Sequence, residues 1–98
     1  MNLLVLVKGK KLKVIEHYYD KITVKGDVDK VFFIDSKFNR RIRPIESKTI
    51  IEFHGKGLKL VTRTKDMVVL DGDVVKYYLF DKKGRLGLIH FLGSNKFK

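Results

Sequence analysis

Short apolar runs separated by turn residues recur along this chain every eight to twelve residues. Runs of that length and spacing are typical of all-β sandwiches and barrels. The runs lie at residues 3–7, 12–19, 22–24, 31–34, 50–53, 58–61, 67–70, 74–80 and 86–92. The chain has no alanine or glutamine but has eleven valines, a composition that disfavours helices and suits strands. The sequence therefore predicts an all-β fold, a small antiparallel barrel or sandwich of about seven to nine short strands.

The turn residues between these runs decide where the predicted strands end. Asp71-Gly72 is the strongest hairpin signal, because a type I′ turn needs positive φ at both central residues. Pro44 lacks a backbone N–H, so residues 36–47 are predicted to form a loop or an edge excursion. The apolar residues of 11–21 also fit helical spacing, which leaves one short helix there as an alternative. No repeat with a period of about 20 to 50 residues is evident.

The length of the chain, 98 residues, predicts a single domain over 1–98. Within it we expect a basic loop at 36–48 and a basic C-terminal tail at 93–98. The opening residues MNLLVLVKGKK contain a short apolar run with no basic residue before it and no small-residue cleavage site after it. They predict neither a signal peptide nor a membrane span, and hence a cytoplasmic protein. Cysteine is absent, which excludes disulfides and thiolate metal sites.

The chain is strongly basic, with 22 lysines and arginines against 11 aspartates and glutamates and a formal net charge of +11. A surplus that large on a small domain indicates a polyanionic partner, and nucleic acid first. The cations concentrate in three segments, at 8–13, 36–48 and 82–98. The predicted nucleic-acid-binding residues are Arg40, Arg41, Arg43, Lys37, Phe38, Lys8, Lys10, Lys11 and Lys13.

These residues would play different parts in one interface. The three arginines would contact phosphates, Phe38 would offer a stacking surface, and the four lysines of 8–13 would supply a diffuse positive field. Binding to DNA or RNA would be non-specific for sequence, because no recognition helix is evident. The prediction depends on the β-fold to gather the basic segments into one electropositive patch.

Two other roles fit a basic β-protein. In the first, the charge serves solubility alone, the apolar side chains of the basic loop hold it to the core, and its arginines pair with Asp35 and Glu46. In the second, exposed strand edges pair with other copies or with an acidic partner, as in an assembly protein of a spore layer, a virus or a mobile element. Such pairing would give a homo-oligomer. No small-molecule substrate, metal or cofactor is predicted.

One enzyme pattern occurs in the same stretch. Asp35 is followed eleven residues later by Glu46-Ser47-Lys48, which resembles the PD-(D/E)xK nuclease pattern of two metal-binding carboxylates and a lysine. Pro44 stands where that pattern needs a regular strand. The histidines, whose spacing fits no metal site, are His17, His54 and His90. The sequence therefore predicts a non-enzymatic protein without catalytic residues.

Two known families share short patterns with the chain. Residues 55–80, GKGLKLVTRTKDMVVLDGDVVKYYLF, resemble the C-terminal half of the YabP/YqfC-type sporulation proteins, and KITVKGDVDKVFFID is similar to their opening strands. This resemblance covers mainly residues 21–98 and implies a non-enzymatic role in assembling a spore layer. TIIEFHGKGLKLV is similar to the second signature of the Sm-like RNA-binding proteins, with His54-Gly55 in place of their RNA-binding Arg-Gly pair.

Overall fold

The computed structural model describes residues 2–44 and 50–91, and every regular element in them is a β-strand. The strands, all paired antiparallel, are β1 Leu3–His17, β2 Lys21–Ile34, β3 Arg40–Pro44, β4 Ile50–Arg63, β5 Met67–Phe80 and β6 Leu86–Phe91. The predicted all-β antiparallel fold is confirmed. These residues contain no helix, and so none that could cross a membrane. The helical alternative for 11–21 is wrong, because β1 continues through most of that segment with Leu12 buried.

Four of the six described strands are 14 or 15 residues long, so the structure has fewer and longer strands than predicted. Each long strand joins two of the predicted short runs. Asp71-Gly72 is therefore not a hairpin turn but the middle of β5. Gly72 has φ +146, and a Cβ there would lie 2.8 Å from the carbonyl oxygen of Gly57. Glycine is needed here because another strand approaches the backbone closely and β5 bends. A glycine at such a bend has the same local sequence pattern as a glycine in a hairpin turn.

The four long strands form a closed ring of pairings. β1 pairs with β2, β2 with β4, β4 with β5, and β5 with β1 again. The β1–β2 and β4–β5 pairings extend over nearly the full length of the strands, whereas the β1–β5 and β2–β4 pairings involve only the first half of each strand. β3 adds to the outside of β2 and β6 to the outside of β5. The predicted loop over 36–48 is thus partly an edge strand, while residues 45–48 and the predicted tail at 93–98 lie outside the described residues.

The ring consists of two copies of one three-stranded unit, 46 residues apart. The slip in register beside Gly9 in the β1–β2 pair recurs beside Gly55 in the β4–β5 pair. The β1–β5 pairing matches the β4–β2 pairing row by row. The unit is therefore repeated with a pseudo-two-fold relation. We call residues 4–44 the first repeat and residues 50–90 the second repeat.

The repeat is also present in the sequence, and the expectation that none exists is wrong. Aligned without a gap, eleven of the 41 positions are identical, and nine of the eleven are glycine, aspartate or lysine. These residues occupy bends, turns and the surface. Most buried positions instead exchange one apolar type for another, as Val7 for Phe53 and Phe33 for Leu79. A core tolerates such exchanges when its total volume is kept, which hides the repeat from inspection.

The core lies inside the ring, where alternate residues of each strand point inward. β1 shows the pattern, because Leu3, Val5 and Val7 are buried while the residues between them face outward. The largest buried ring, that of Tyr77, stacks on Phe33 with centroids 5.2 Å apart. Residues on the outer face of the ring of strands take no part in this packing, so they can differ between the two repeats. On that face Lys8 corresponds to His54 and Phe32 to Tyr78.

Candidate nucleic-acid interface

The lysine-rich segment 8–13 forms the bend of β1. The pairing of β1 with β2 slips beside Gly9, where any Cβ would collide with the carbonyl oxygen of Asp27. Lys11 follows with φ 56, a left-handed backbone conformation that residues other than glycine rarely adopt. All four predicted lysines of this segment, Lys8, Lys10, Lys11 and Lys13, are exposed. The bend therefore presents them around a corner of the ring.

The fold adds three lysines that lie far from this segment in the sequence. Lys30 lies opposite Lys8, and Lys25 lies opposite Lys13 in the β1–β2 pair. The carbonyl oxygen of Lys65 accepts a hydrogen bond of 2.8 Å from the backbone N–H of Leu12. The lysine cluster comprises Lys8, Lys10, Lys11, Lys13, Lys25, Lys30 and Lys65. The first basic segment is thus larger in space than in sequence, although Asp27 and Asp66 lie beside it.

Two amino groups of the lysine cluster converge on one aromatic ring. Phe32 faces outward, because its neighbours Val31 and Phe33 are buried. The Nζ atoms of Lys8 and Lys30 lie 5.9 and 5.7 Å from the centroid of the Phe32 ring, within cation–π distance. No ion pair within 4.0 Å joins either lysine to an acid of the described residues. Their charges are therefore available to an external anion.

The turn that joins β2 to β3, residues 35–39, presents the second predicted group. Oδ1 of Asp35 accepts hydrogen bonds of 2.9 Å from the backbone N–H groups of Lys37 and Asn39, and Oδ2 accepts one of 3.1 Å from the Asn39 amide. These bonds, that of the Asn39 side chain first, hold the pKa of Asp35 below its ordinary value. Phe38 projects from the turn with φ 62 and is 85% exposed.

The three predicted arginines lie on β3 but do not share one side of it. Arg40 lies opposite Ile34 and so faces outward with Phe32, whereas Arg41 lies opposite the buried Phe33. Both are exposed. Arg43 lies opposite Val31, and its side chain is outside the described part of the structure. Of the two arginines whose side chains the structure describes, Arg40 is the one on the surface that carries the lysines.

These groups form a continuous surface along one edge of the first repeat. From the row of Asp27 to the row of Ile34, β2 spans about 23 Å. The basic stripe, in order along this edge, comprises Lys11, Lys10, Lys8, Lys30, Phe32, Arg40, Lys37 and Phe38. The sequence predicted six of its eight members. It missed Lys30 and Phe32, because only the β1–β2 register places them beside Lys8.

Polar groups pair with each other where the first half of β2 lies beside the first half of β4. Glu16 accepts a hydrogen bond of 3.0 Å from Thr23 and pairs with Lys21 at 3.2 Å. These two contacts, that of Thr23 first, lower the pKa of Glu16. On the neighbouring β4, where Glu52 lies opposite Thr23, His54 contacts Glu52 at 3.0 Å and its ring lies 4.8 Å from that of Tyr78. Lys76 lies 5.4 Å from the Tyr78 ring, as Lys30 lies beside Phe32 in the first repeat. The second repeat differs in having His54 in place of Lys8, and His54 contacts Glu52.

The two turns differ in the same way. Asp81 corresponds to Asp35 and accepts the same two backbone hydrogen bonds, here from Lys83 and Arg85. Its other oxygen also accepts from Nε of Arg85 at 3.0 Å. The pKa of Asp81 is lowered by these contacts, the backbone N–H of Arg85 first. The arginine of the second turn is thus held by its own carboxylate.

The described residues do not form the metal site that the nuclease alternative requires. Both oxygens of Asp35 accept hydrogen bonds within the turn, and Glu46 and Lys48 lie outside the described residues. Among residues 2–44 and 50–91, no three histidine or acidic side chains lie together as a metal site would require. The nuclease stays an alternative to the predicted non-enzymatic role.

No family model, no curated protein and no solved structure matches this chain. The resemblances to the YabP/YqfC-type and Sm-like proteins therefore stay predictions. Residues 55–80, which carry the first resemblance, include the second half of β4 and all of β5. The same hairpin occurs in the first repeat at 9–34, so the pattern is a property of the repeated unit.

Proposed function

We propose that this protein binds nucleic acid, without catalysis, through the basic stripe of the first repeat. The observation that supports it most is the convergence of Lys8 and Lys30 on the Phe32 ring with no described carboxylate to neutralise them. Amino groups held in this way attract phosphates and release the counterions that surround a nucleic acid. Arg40 adds a guanidinium that can bind a phosphate with two hydrogen bonds.

The binding is non-specific for sequence. The described cations of the basic stripe are lysines and one arginine, all exposed except the half-buried Lys30, which suits contacts with phosphate oxygens. Base-specific reading requires side chains placed against base edges, most often from a helix in the major groove. The described residues contain no helix.

The test compares two double variants that remove the same charge from different repeats. In Lys8→Gln/Lys30→Gln the basic stripe loses its centre, and in Lys56→Gln/Lys59→Gln the second repeat loses two lysines that lie opposite Asp73 and Asp71. Affinity for a labelled oligonucleotide at fixed salt is measured by fluorescence anisotropy. We expect the first pair to weaken binding by about tenfold or more and the second by less than about threefold. Equal losses would mean that net charge alone acts, and would contradict the proposal.

A second function, assembly through strand edges, is favoured by the placement of β3 and β6. Among the described strands, β3 pairs only with β2, and β6 pairs only with β5. Ile42, on the outer side of β3, is 52% exposed. Discrete oligomers in light scattering that dissociate in Ile42→Lys, together with no oligonucleotide binding at low salt, would replace the first proposal with this one.

A further inference from the structure

We infer that the ligand of the basic stripe is a single-stranded nucleic acid, one base of which stacks on Phe38. The inference rests on the proposed function and names the form of its substrate. It begins from a side chain that the fold does not use. Phe38 is 85% exposed and has φ 62, so it is unfavourable both in its contact with water and in its backbone conformation.

The second repeat shows that this turn does not need an aromatic residue. Gly84 takes the place of Phe38 there, with φ 77. The two turns make the same backbone hydrogen bonds, because the N–H of Phe38 donates to Asp35 O at 3.0 Å and that of Gly84 donates to Asp81 O at 3.0 Å. The ring of Phe38 is therefore not required by the turn. A strained and exposed side chain of this kind is typical of a functional position.

The neighbours of Phe38 indicate what would contact it. Lys37 and Arg40 are exposed on either side of it along the chain, and the basic stripe leads from them to the lysine cluster. An aromatic ring at the end of a row of cations suits a base that stacks while its neighbouring phosphates meet the cations. Phe32 does not offer the same surface, because it is only half-exposed and two amino groups lie close to its ring.

A duplex would not use this ring. The bases of a duplex are stacked on each other and paired, so their faces reach a protein side chain only after costly unstacking. The bases of a single strand offer a free face at every nucleotide, and stacking on an aromatic side chain is tolerant of sequence. The exposed ring therefore favours the single strand over the duplex.

The experiment measures the affinity of the full-length protein for a labelled 15-nucleotide single strand and for the same sequence as a duplex, at one salt concentration. We expect the wild type to prefer the single strand by about fivefold or more, the range expected of one stacked base. Phe38→Gly should lose that preference and leave duplex affinity within about twofold. Its midpoint of thermal unfolding should equal or exceed that of the wild type, because glycine adopts a φ of 62 without strain.

Two further variants separate aromatic stacking from simple hydrophobic contact. Phe38→Tyr keeps a flat ring and should keep single-strand affinity, whereas Phe38→Leu keeps an apolar side chain without a ring and should weaken binding as Phe38→Gly does. Full affinity in Phe38→Leu would overturn the inference.

Failure of the inference and failure of the proposed function give different results. Equal affinity of the wild type for both forms, or no effect of Phe38→Gly while Lys8→Gln/Lys30→Gln still weakens binding, overturns the inference alone. No binding of either form overturns both. Binding to phosphatidylserine vesicles that depends on Phe38, with no preference for the single strand, would assign the ring to a membrane and contradict the inference.

Discussion

Two residues of the first repeat hold a conformation that suits glycine. Lys11 and Phe38, with φ 56 and 62, are the only non-glycine residues of the described chain with positive φ. At the corresponding positions the second repeat has Gly57 and Gly84, with φ 63 and 77. Both residues belong to the basic stripe. Backbone strain in the first repeat is thus located where we propose contact with nucleic acid.

Replacing Lys11 tests whether its left-handed backbone conformation is strained. In Lys11→Gly, the free energy of unfolding should stay unchanged or rise by up to about 1 kcal/mol, because left-handed strain disappears. The reverse exchange in the second repeat, Gly57→Lys, should lower it by about 1 kcal/mol. Urea unfolding followed by circular dichroism measures both. A clear destabilisation in Lys11→Gly would show that the lysine side chain supports the fold.

The capped turn of Phe38 makes stability depend on pH. The pKa of Asp35 is lower in the folded protein than its ordinary value of 3.8, so its contribution to stability is present above that value and is lost as pH falls through the folded pKa. We expect the free energy of unfolding to fall more steeply between about pH 5 and pH 2 in the wild type than in Asp35→Asn. Asp29→Asn, which removes a carboxylate from an exposed strand position, is the control for the change in net charge.

At the scale of the strands, local sequence predicts the apolar runs but not how they join. The alternating apolar residues of β1 and β5 are evident in the sequence, as is the outward position of the lysines at 8–13. Gly9 and Gly72, however, have the same signature whether they end a strand or bend it. Which one occurs is decided by a strand from elsewhere in the chain that approaches the glycine closely, and that approach is visible only in the fold.

The same limit applies to the candidate site. The first basic segment and the turn with Phe38 could be predicted, because each is a local cluster of charge. Lys30 and Phe32 could not, since their position beside Lys8 depends on the register of two strands. A search for the 46-residue repeat would have supplied that register in part, because a shared pattern of glycines at equal offsets aligns the two halves.

The bends themselves can be tested at Gly55. A Cβ there would collide with the carbonyl oxygen of Asp73 across the β4–β5 pair, so Gly55→Ala should cost more than about 2 kcal/mol or prevent folding. Gly57→Ala is the control, because a Cβ at that position meets nothing within 4 Å and only the φ of +63 opposes it, at about 1 kcal/mol. Thermal unfolding compares the two. Equal, small losses would mean that the strands do not approach so closely.

At the scale of the molecule, one backbone carries two different surfaces. The first repeat has eleven lysines and arginines against five acidic residues, and the second has eight against five. The turn of the first repeat carries the exposed ring of Phe38, whereas the turn of the second repeat has Gly84 at that position and pairs its Arg85 with Asp81. The pseudo-two-fold fold thus supplies a scaffold, and the function we propose belongs to the half that departs from the symmetry.

The salt dependence of binding to a single-stranded oligonucleotide tests this account most directly. If the six cations of the basic stripe each meet a phosphate, the logarithm of the association constant should fall against the logarithm of salt concentration with a slope of about −4. Lys8→Gln/Lys30→Gln should reduce the size of that slope by about 1.4, and Lys56→Gln/Lys59→Gln should leave it unchanged. A slope near zero, or one that both variants reduce equally, would contradict the account.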